Sequence, residues 1–148
     1  MSLSVNKWMS MFAVALALVA FRADSGLPSV GEPSPDFALA SNTGVNLRLS
    51  EYRGEIVLLN FWASGCRSCR AELLQLNSIV ATTGSDVRVL SVNVDDNRAK
   101  VEQDLRALKL GFPVMFDTDQ AASKLYDLPT LPVTLLIDRR GQLRFVHQ

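Results

Sequence analysis

Short apolar runs separated by polar breaks predict most of the elements of this chain. Residues 36–54, DFALASNTGVNLRLSEYRG, alternate apolar and polar side chains about Asn42 to Gly44, the pattern of a β-hairpin. The next run, EIVLLNFWA at 55–63, is almost continuously apolar, as a strand buried on both faces must be. It is expected at the centre of a sheet. From Arg67 to Ala81 the residues Leu73, Leu76, Ile79 and Val80 recur at helical spacing, and Gly84 is placed to end that helix. DVRVLSVNVD reads as a second strand. Asp95 or Asp96 can cap the helix that follows, whose stripe is Val101, Leu105 and Leu108 ahead of Gly111. FPVMFD is a short third strand, residues 119–126 fit a short helix, and VTLLID, RRG and QLRFVHQ make a strand, a turn and a closing strand. The order predicts an α/β domain with a mixed sheet flanked by helices.

The N-terminus follows a different pattern. Lys7 precedes WMSMFAVALALVAF, Trp8 to Phe21, which is uncharged and apolar all round and is followed by Arg22 and Asp24. This is the pattern of an export signal. Its 14 residues fall short of the roughly 20 that span a membrane, while Leu18 and Phe21 stand where a cleavage site has small residues. Residues 1–23 therefore read as a cleaved signal peptide or a retained membrane anchor, with a buried core helix as the plain alternative. No cysteine directly follows the run to carry a lipid. DSGLPSVGEPSP, residues 24–35, holds three prolines and three serines and reads as a linker, which leaves 36–148 as the folded domain.

Composition narrows the partners. A chain of 148 residues suits one domain with its own core. Its 15 basic and 15 acidic residues cancel, so no overall field draws it to nucleic acid. An exported setting also changes the meaning of cysteines, because disulfides persist there that a cytosol would reduce.

Both cysteines of the chain lie in FWASGCRSCRAE, Phe61 to Glu72. A disulfide across so short a loop fastens no distant parts of a fold, so the spacing points to chemistry. If the buried strand ends near Ala63 and the helix opens near Cys66, free backbone N–H groups and the positive end of the helix dipole face that thiol. Arg67 and Arg70 add positive charge. Both influences favour the thiolate, which makes Cys66 the expected nucleophile. Cys69, one turn on and inside the helix, is shielded and is expected to resolve the mixed disulfide. Other readings are a structural disulfide, a zinc site that would need four ligands where only His147 joins the cysteines, and copper carriage on the thiols with His147. Thiol exchange needs neither metal nor cofactor.

VLLNFWASGCRSCRAE resembles the active-site segment of thioredoxin-like proteins, specifically the exported TlpA/ResA/CcmG-type thiol-disulfide oxidoreductases, whose pattern is FWASWCxxCRxE. YDLPTLPVTLLIDRRGQL resembles the same family's YGVxGxPTTFLIDRxG segment, and the likeness runs from Pro35 to the end of the chain. It implies a thioredoxin-like fold. It also implies that Pro132 is a cis-proline beside the nucleophile that pairs with a substrate chain, that Leu131 before it helps to set substrate selectivity, that Trp62 floors the site, and that Glu72 tunes thiol protonation. The plain alternatives are an ordinary trans-proline at the strand start for Pro132 and core packing, which explains Trp62 nearly as well, while Glu72 is from the residues alone equally a first-turn acid complementing the helix dipole.

The departures from the family pattern are Gly65 in place of tryptophan, Ser68 in place of proline, Leu131 in place of threonine or valine, and Asn60 where cytosolic thioredoxins bury an aspartate. The resemblance implies a periplasmic or extracytoplasmic reductase. Its substrates would be disulfides in exported proteins, apocytochrome c among them, and a membrane thiol carrier would supply the electrons. The rivals are a copper-carrying thiol protein and a peroxiredoxin-like peroxidase, which needs Pro-x-x-x-Thr-x-x-Cys where this chain has Leu59 and Ala63. Relatives of this type continue into a C-terminal helix, and this sequence ends at Gln148. The expectation is that the family helix is missing. Either an apolar patch is then left open beside Leu143 and Phe145 for a partner or the membrane surface, or the product is truncated and of low stability.

Overall fold

The computed structural model describes residues 27–148. The run Trp8 to Phe21, and the export reading built on it, lie outside the described residues. Two short strands, β1 (Ala38–Ala40) and β2 (Asn46–Arg48), pair antiparallel as the predicted hairpin, and a 3₁₀ turn (Leu49–Tyr52) follows. Asp36 ties hairpin to turn, accepting from the Arg48 guanidinium at 2.8 Å and the Ser50 N–H at 2.9 Å. Desolvation alone would raise this carboxyl, yet those bonds hold it below the ordinary carboxylate range.

The main sheet comprises β3 (Ile56–Trp62), β4 (Val87–Asn93), β5 (Val114–Phe116), β6 (Val133–Ile137) and β7 (Leu143–His147), in the order β5-β4-β3-β6-β7. The apolar run is central, as its composition requires: β3 pairs parallel with β4 and antiparallel with β6. The connections carry α1 (Arg67–Thr83), α2 (Arg98–Leu108) and α3 (Ala121–Leu125). Successive β3 side chains point to opposite faces and so serve two cores. Leu59 and Phe61 pack with Phe37, Tyr126 and Leu135 on the hairpin side. Leu58 and Trp62 pack with Cys69, Leu73, Leu76 and Val101 on the side of α1 and α2. Fully burying a leucine such as Leu73 stabilises by about 1.5–3 kcal/mol, so its stripe holds α1 against the sheet.

The structure corrects three expectations. Neither Asp95 nor Asp96 caps α2: Asn97 is the N-cap, and its side chain accepts from the Lys100 N–H at 3.1 Å. The stretch read as a linker is tied to the domain before Asp36, because Gly31 and Ser34 donate to the carbonyls of Leu143 and Gly141 at 2.7 and 2.9 Å. The apolar patch expected beside Leu143 and Phe145 divides between the two faces. A bulge in β7 pairs Leu143 with Ile137 but Phe145 with Leu136, which shifts the phase of the strand. Leu143 is buried in the hairpin-side core, while Phe145 is 58% exposed on the other face. There it lines a groove with Leu58, Leu76, Ile79, Glu72 and His147.

Candidate active site

The buried strand β3 ends at Trp62, and after a tight three-residue turn the chain enters α1 with Cys66 as N-cap. The Cys66 N–H closes that turn on the Ala63 carbonyl at 3.2 Å. Cys66 and Cys69 are joined in a disulfide. Cys66 is partly exposed, and Cys69 is fully buried against Leu73 and Trp62. The Cys69 N–H points at Cys66 Sγ from 3.1 Å, and the Ser68 hydroxyl donates to the same sulfur from 3.4 Å. Backbone and hydroxyl donors at the open end of a helix are the kind of groups that favour negative charge on a sulfur. Arg67 and Arg70 are exposed beside it.

The other wall is the loop before β6. The Leu131–Pro132 peptide bond is cis, as the resemblance implies, and the Leu131 carbonyl oxygen lies 3.8 Å from Cys66 Sγ. Beyond it opens a cleft of about 440 Å³ lined by Val94, Gln120, Lys124, Asp127 and Leu131. Trp62 is buried in the core that holds Cys69, with its ring nitrogen unpartnered.

Glu72 is not the first-turn acid that its position suggests. It lies past the first turn of α1, which holds no acidic residue, and its carboxylate turns to the sheet, where the Thr134 hydroxyl donates to Oε1 at 2.7 Å. Thr134 in turn accepts from the buried Asn60 amide at 2.9 Å, and Ser91 donates to the Asn60 carbonyl at 3.4 Å. Asn60 faces Ser91 on β4 and Thr134 on β6 in register, so the three form a polar row across the middle of the sheet. Because an amide NH₂ can only donate, the one hydroxyl hydrogen of Thr134 is committed to Glu72. The remaining oxygen of Glu72, Oε2, is buried without a partner. Sequence reasoning marked Asn60 as standing where cytosolic thioredoxins bury an aspartate but missed Thr134, whose role rests on register. Among the described residues no group of three or more His, Cys, Asp or Glu is placed to hold a metal ion, so His147 is not brought to the thiols.

A disulfide-linked cysteine pair at the start of a helix, with a cis-proline loop against it on a mixed sheet, defines a thioredoxin-like redox protein. Residues 30–146 match the AhpC/TSA family, and the chain belongs to it. It is similar to the thiol-disulfide oxidoreductase ResA of Geobacillus kaustophilus (strain HTA426), 35% identical over 117 residues that cover 78% of this chain and 67% of that one. Likeness to ResA of Bacillus subtilis (strain 168) is 32% over 116 residues, covering 78% and 65%, so the chain spans about two thirds of the length of these relatives. Among solved structures, the pneumococcal exposed lipoprotein thioredoxin Etrx1 from Streptococcus pneumoniae strain TIGR4 aligns with a TM-score of 0.68 at 31% identity, over 76% of this chain and 88% of that one. The protein is a thiol-disulfide oxidoreductase of the ResA-like kind.

Proposed function

We propose that the protein is an exported reductase that delivers two electrons to disulfides in other exported proteins. The Cys66 thiolate attacks one sulfur of the substrate disulfide. A mixed disulfide forms with the attacked sulfur, and the other substrate sulfur leaves as a thiolate that takes up a proton. Glu72, one turn along α1, accepts the Cys69 proton through its unpartnered Oε2. Cys69 then attacks Cys66 Sγ and releases the second substrate sulfur. The substrate gains two electrons and the protein is left with its Cys66–Cys69 disulfide, which a membrane thiol carrier reduces. The substrate backbone lies against Leu131 and Pro132, with Trp62 beneath the pair. Apocytochrome c is one candidate substrate, and a periplasmic or extracytoplasmic site, reached or held through the N-terminal segment, is the setting.

The observation that carries this reading is the asymmetry of the pair: Cys66 is partly exposed at the helix start and Cys69 is buried behind it. Cys69→Ala should accumulate mixed disulfides with substrate proteins, while Cys66→Ala should not. Equal trapping by both variants refutes the roles. The reduction potential of the pair tests the direction: a value near that of protein disulfide oxidants, about −120 mV, would exclude a reductase.

A further inference from the structure

We propose that Asp95 is a positioning residue for the nucleophile. Its carboxylate fixes the course of the 63–65 turn and thereby the place of Cys66 opposite Leu131. Asp95 is free for this because Asn97 caps α2. From the end of β4 its Oδ2 accepts the Ser64 N–H at 2.7 Å. The same oxygen accepts from the Asn93 side-chain NH₂ at 2.8 Å, and the Asn93 side-chain oxygen Oδ1 accepts the Asp95 N–H at 3.0 Å. Asn93 is fully buried and in parallel register with Trp62, and the Val94 N–H bonds the Trp62 carbonyl at 3.0 Å. The carboxylate is thus anchored to the sheet on one side and to the turn on the other.

The turn needs this support. At Gly65 the space where a side chain would begin is open, with no atom beyond its chain neighbours within 4 Å, so no side chain there steadies the turn. A charge-assisted bond to a backbone N–H is among the stronger hydrogen bonds available. It reaches the chain two residues before Cys66. Exchange with a protein disulfide requires Cys66 to sit at a fixed distance from the loop that receives the substrate backbone, and a displacement of about 1 Å can lower such a rate about a hundredfold. A small disulfide that needs no backbone pairing does not make that demand.

The inference rests on Cys66 as the nucleophile beside Leu131, and the test separates the two claims. The full-length protein and its Asp95→Ala, Asp95→Asn, Asp95→Glu and Cys66→Ala variants are reduced with dithiothreitol, freed of it, and mixed with insulin or with hydroxyethyl disulfide. Asp95→Ala, which strands the Ser64 N–H, should slow insulin reduction about tenfold or more and leave hydroxyethyl disulfide within about threefold of wild type. Asp95→Asn keeps an oxygen that can take both hydrogen bonds and should restore the insulin rate. Asp95→Glu keeps the charge but moves the oxygen by one methylene; it should slow insulin alone and carries the test if the alanine variant does not fold. Wild-type insulin rates in Asp95→Ala or Asp95→Glu, equal slowing by Asp95→Asn and Asp95→Ala, or equal slowing on both substrates each overturn the proposal. Activity in Cys66→Ala on either substrate overturns the underlying assignment, and the proposal with it.

Discussion

Replacing Thr134 by valine removes one hydroxyl from the polar row under the active site and leaves the side chain nearly the same shape. Two bonds go at once: the 2.7 Å bond to Glu72 and the 2.9 Å bond from Asn60. Asn60 is fully buried, so its stranded amide costs about 1–3 kcal/mol. Losing a donor to a carboxylate costs about 1.5–3 kcal/mol where, as here, the other oxygen is already without a partner. The buried methyl that replaces the hydroxyl returns about 0.8 kcal/mol. Shared partners make these terms less than additive, and a net loss of about 2–4 kcal/mol remains. That is a large part of the roughly 5–15 kcal/mol that stabilises a domain.

Urea unfolding of the oxidised protein at neutral pH reads this directly. With a slope of about 2 kcal/mol per molar, the midpoint should fall by about 1–2 M with the slope unchanged. Thr134→Ser keeps the hydroxyl, loses one methyl, and should fall by less than half as much. Glu72→Leu should cost less in the Thr134→Val background than in the wild type, because the carboxylate there has already lost its donor. A Thr134→Val protein as stable as Thr134→Ser, or no coupling to Glu72, would mean that the row contributes nothing and that its bonds are incidental.

Asp138 accepts the Gln142 N–H at 3.0 Å, the Arg144 guanidinium at 2.8 Å and the Arg140 N–H at 2.9 Å, and these hold its carboxyl below the ordinary range against the opposing effect of desolvation. A carboxyl depressed in the folded state stabilises above its unfolded pKa and loses that contribution as pH falls through the folded value. Wild type should therefore exceed Asp138→Asn in stability at neutral pH, and the gap should close only as pH falls below the ordinary carboxylate range; a gap independent of pH contradicts this. Tyr126 is buried with its hydroxyl on the Pro35 carbonyl at 2.7 Å, and burial pushes its pKa well above the usual phenol range. Tyr126→Phe should cost about 1 kcal/mol in chemical unfolding by leaving that carbonyl without its donor. The groove beside Phe145 should take up an apolar fluorescent dye, and Phe145→Gln should reduce the uptake; equal binding by both proteins would place the dye elsewhere.

The elements legible in the sequence were those whose pattern is local. EIVLLNFWA could only be a strand covered on both faces, the turn residues Asn42 to Gly44 announced the hairpin, and Gly84, at a φ of 59°, ends α1 where its spacing put it. Local patterns failed where several residues were chemically equivalent. Asp95, Asp96 and Asn97 are all good N-caps, and only the path of the chain out of β4 decides that Asn97 takes the role while Asp95 reaches back to Ser64. The position of Leu143 was hidden for a related reason. Alternation puts it on one face with Phe145, and a bulge beside Arg144 then reverses the phase.

The site divides in the same way. The two cysteines and Pro132 were legible because their chemistry lies in short motifs. The support beneath them was not, since Asn60 and Thr134 are 74 residues apart in sequence and meet only through the pairing of β3 with β6. That register explains a departure that the motif left open. A carboxylate at position 60 would face the Thr134 hydroxyl, whose single hydrogen would then be claimed from two sides, by residue 60 and by Glu72. An asparagine donates instead, so the hydrogen goes to Glu72 alone. Asn60 and Glu72 are therefore consistent choices: the sheet supplies a donor at position 60, and among the described residues the only acid bonded to the row is on the helix, one turn from Cys69.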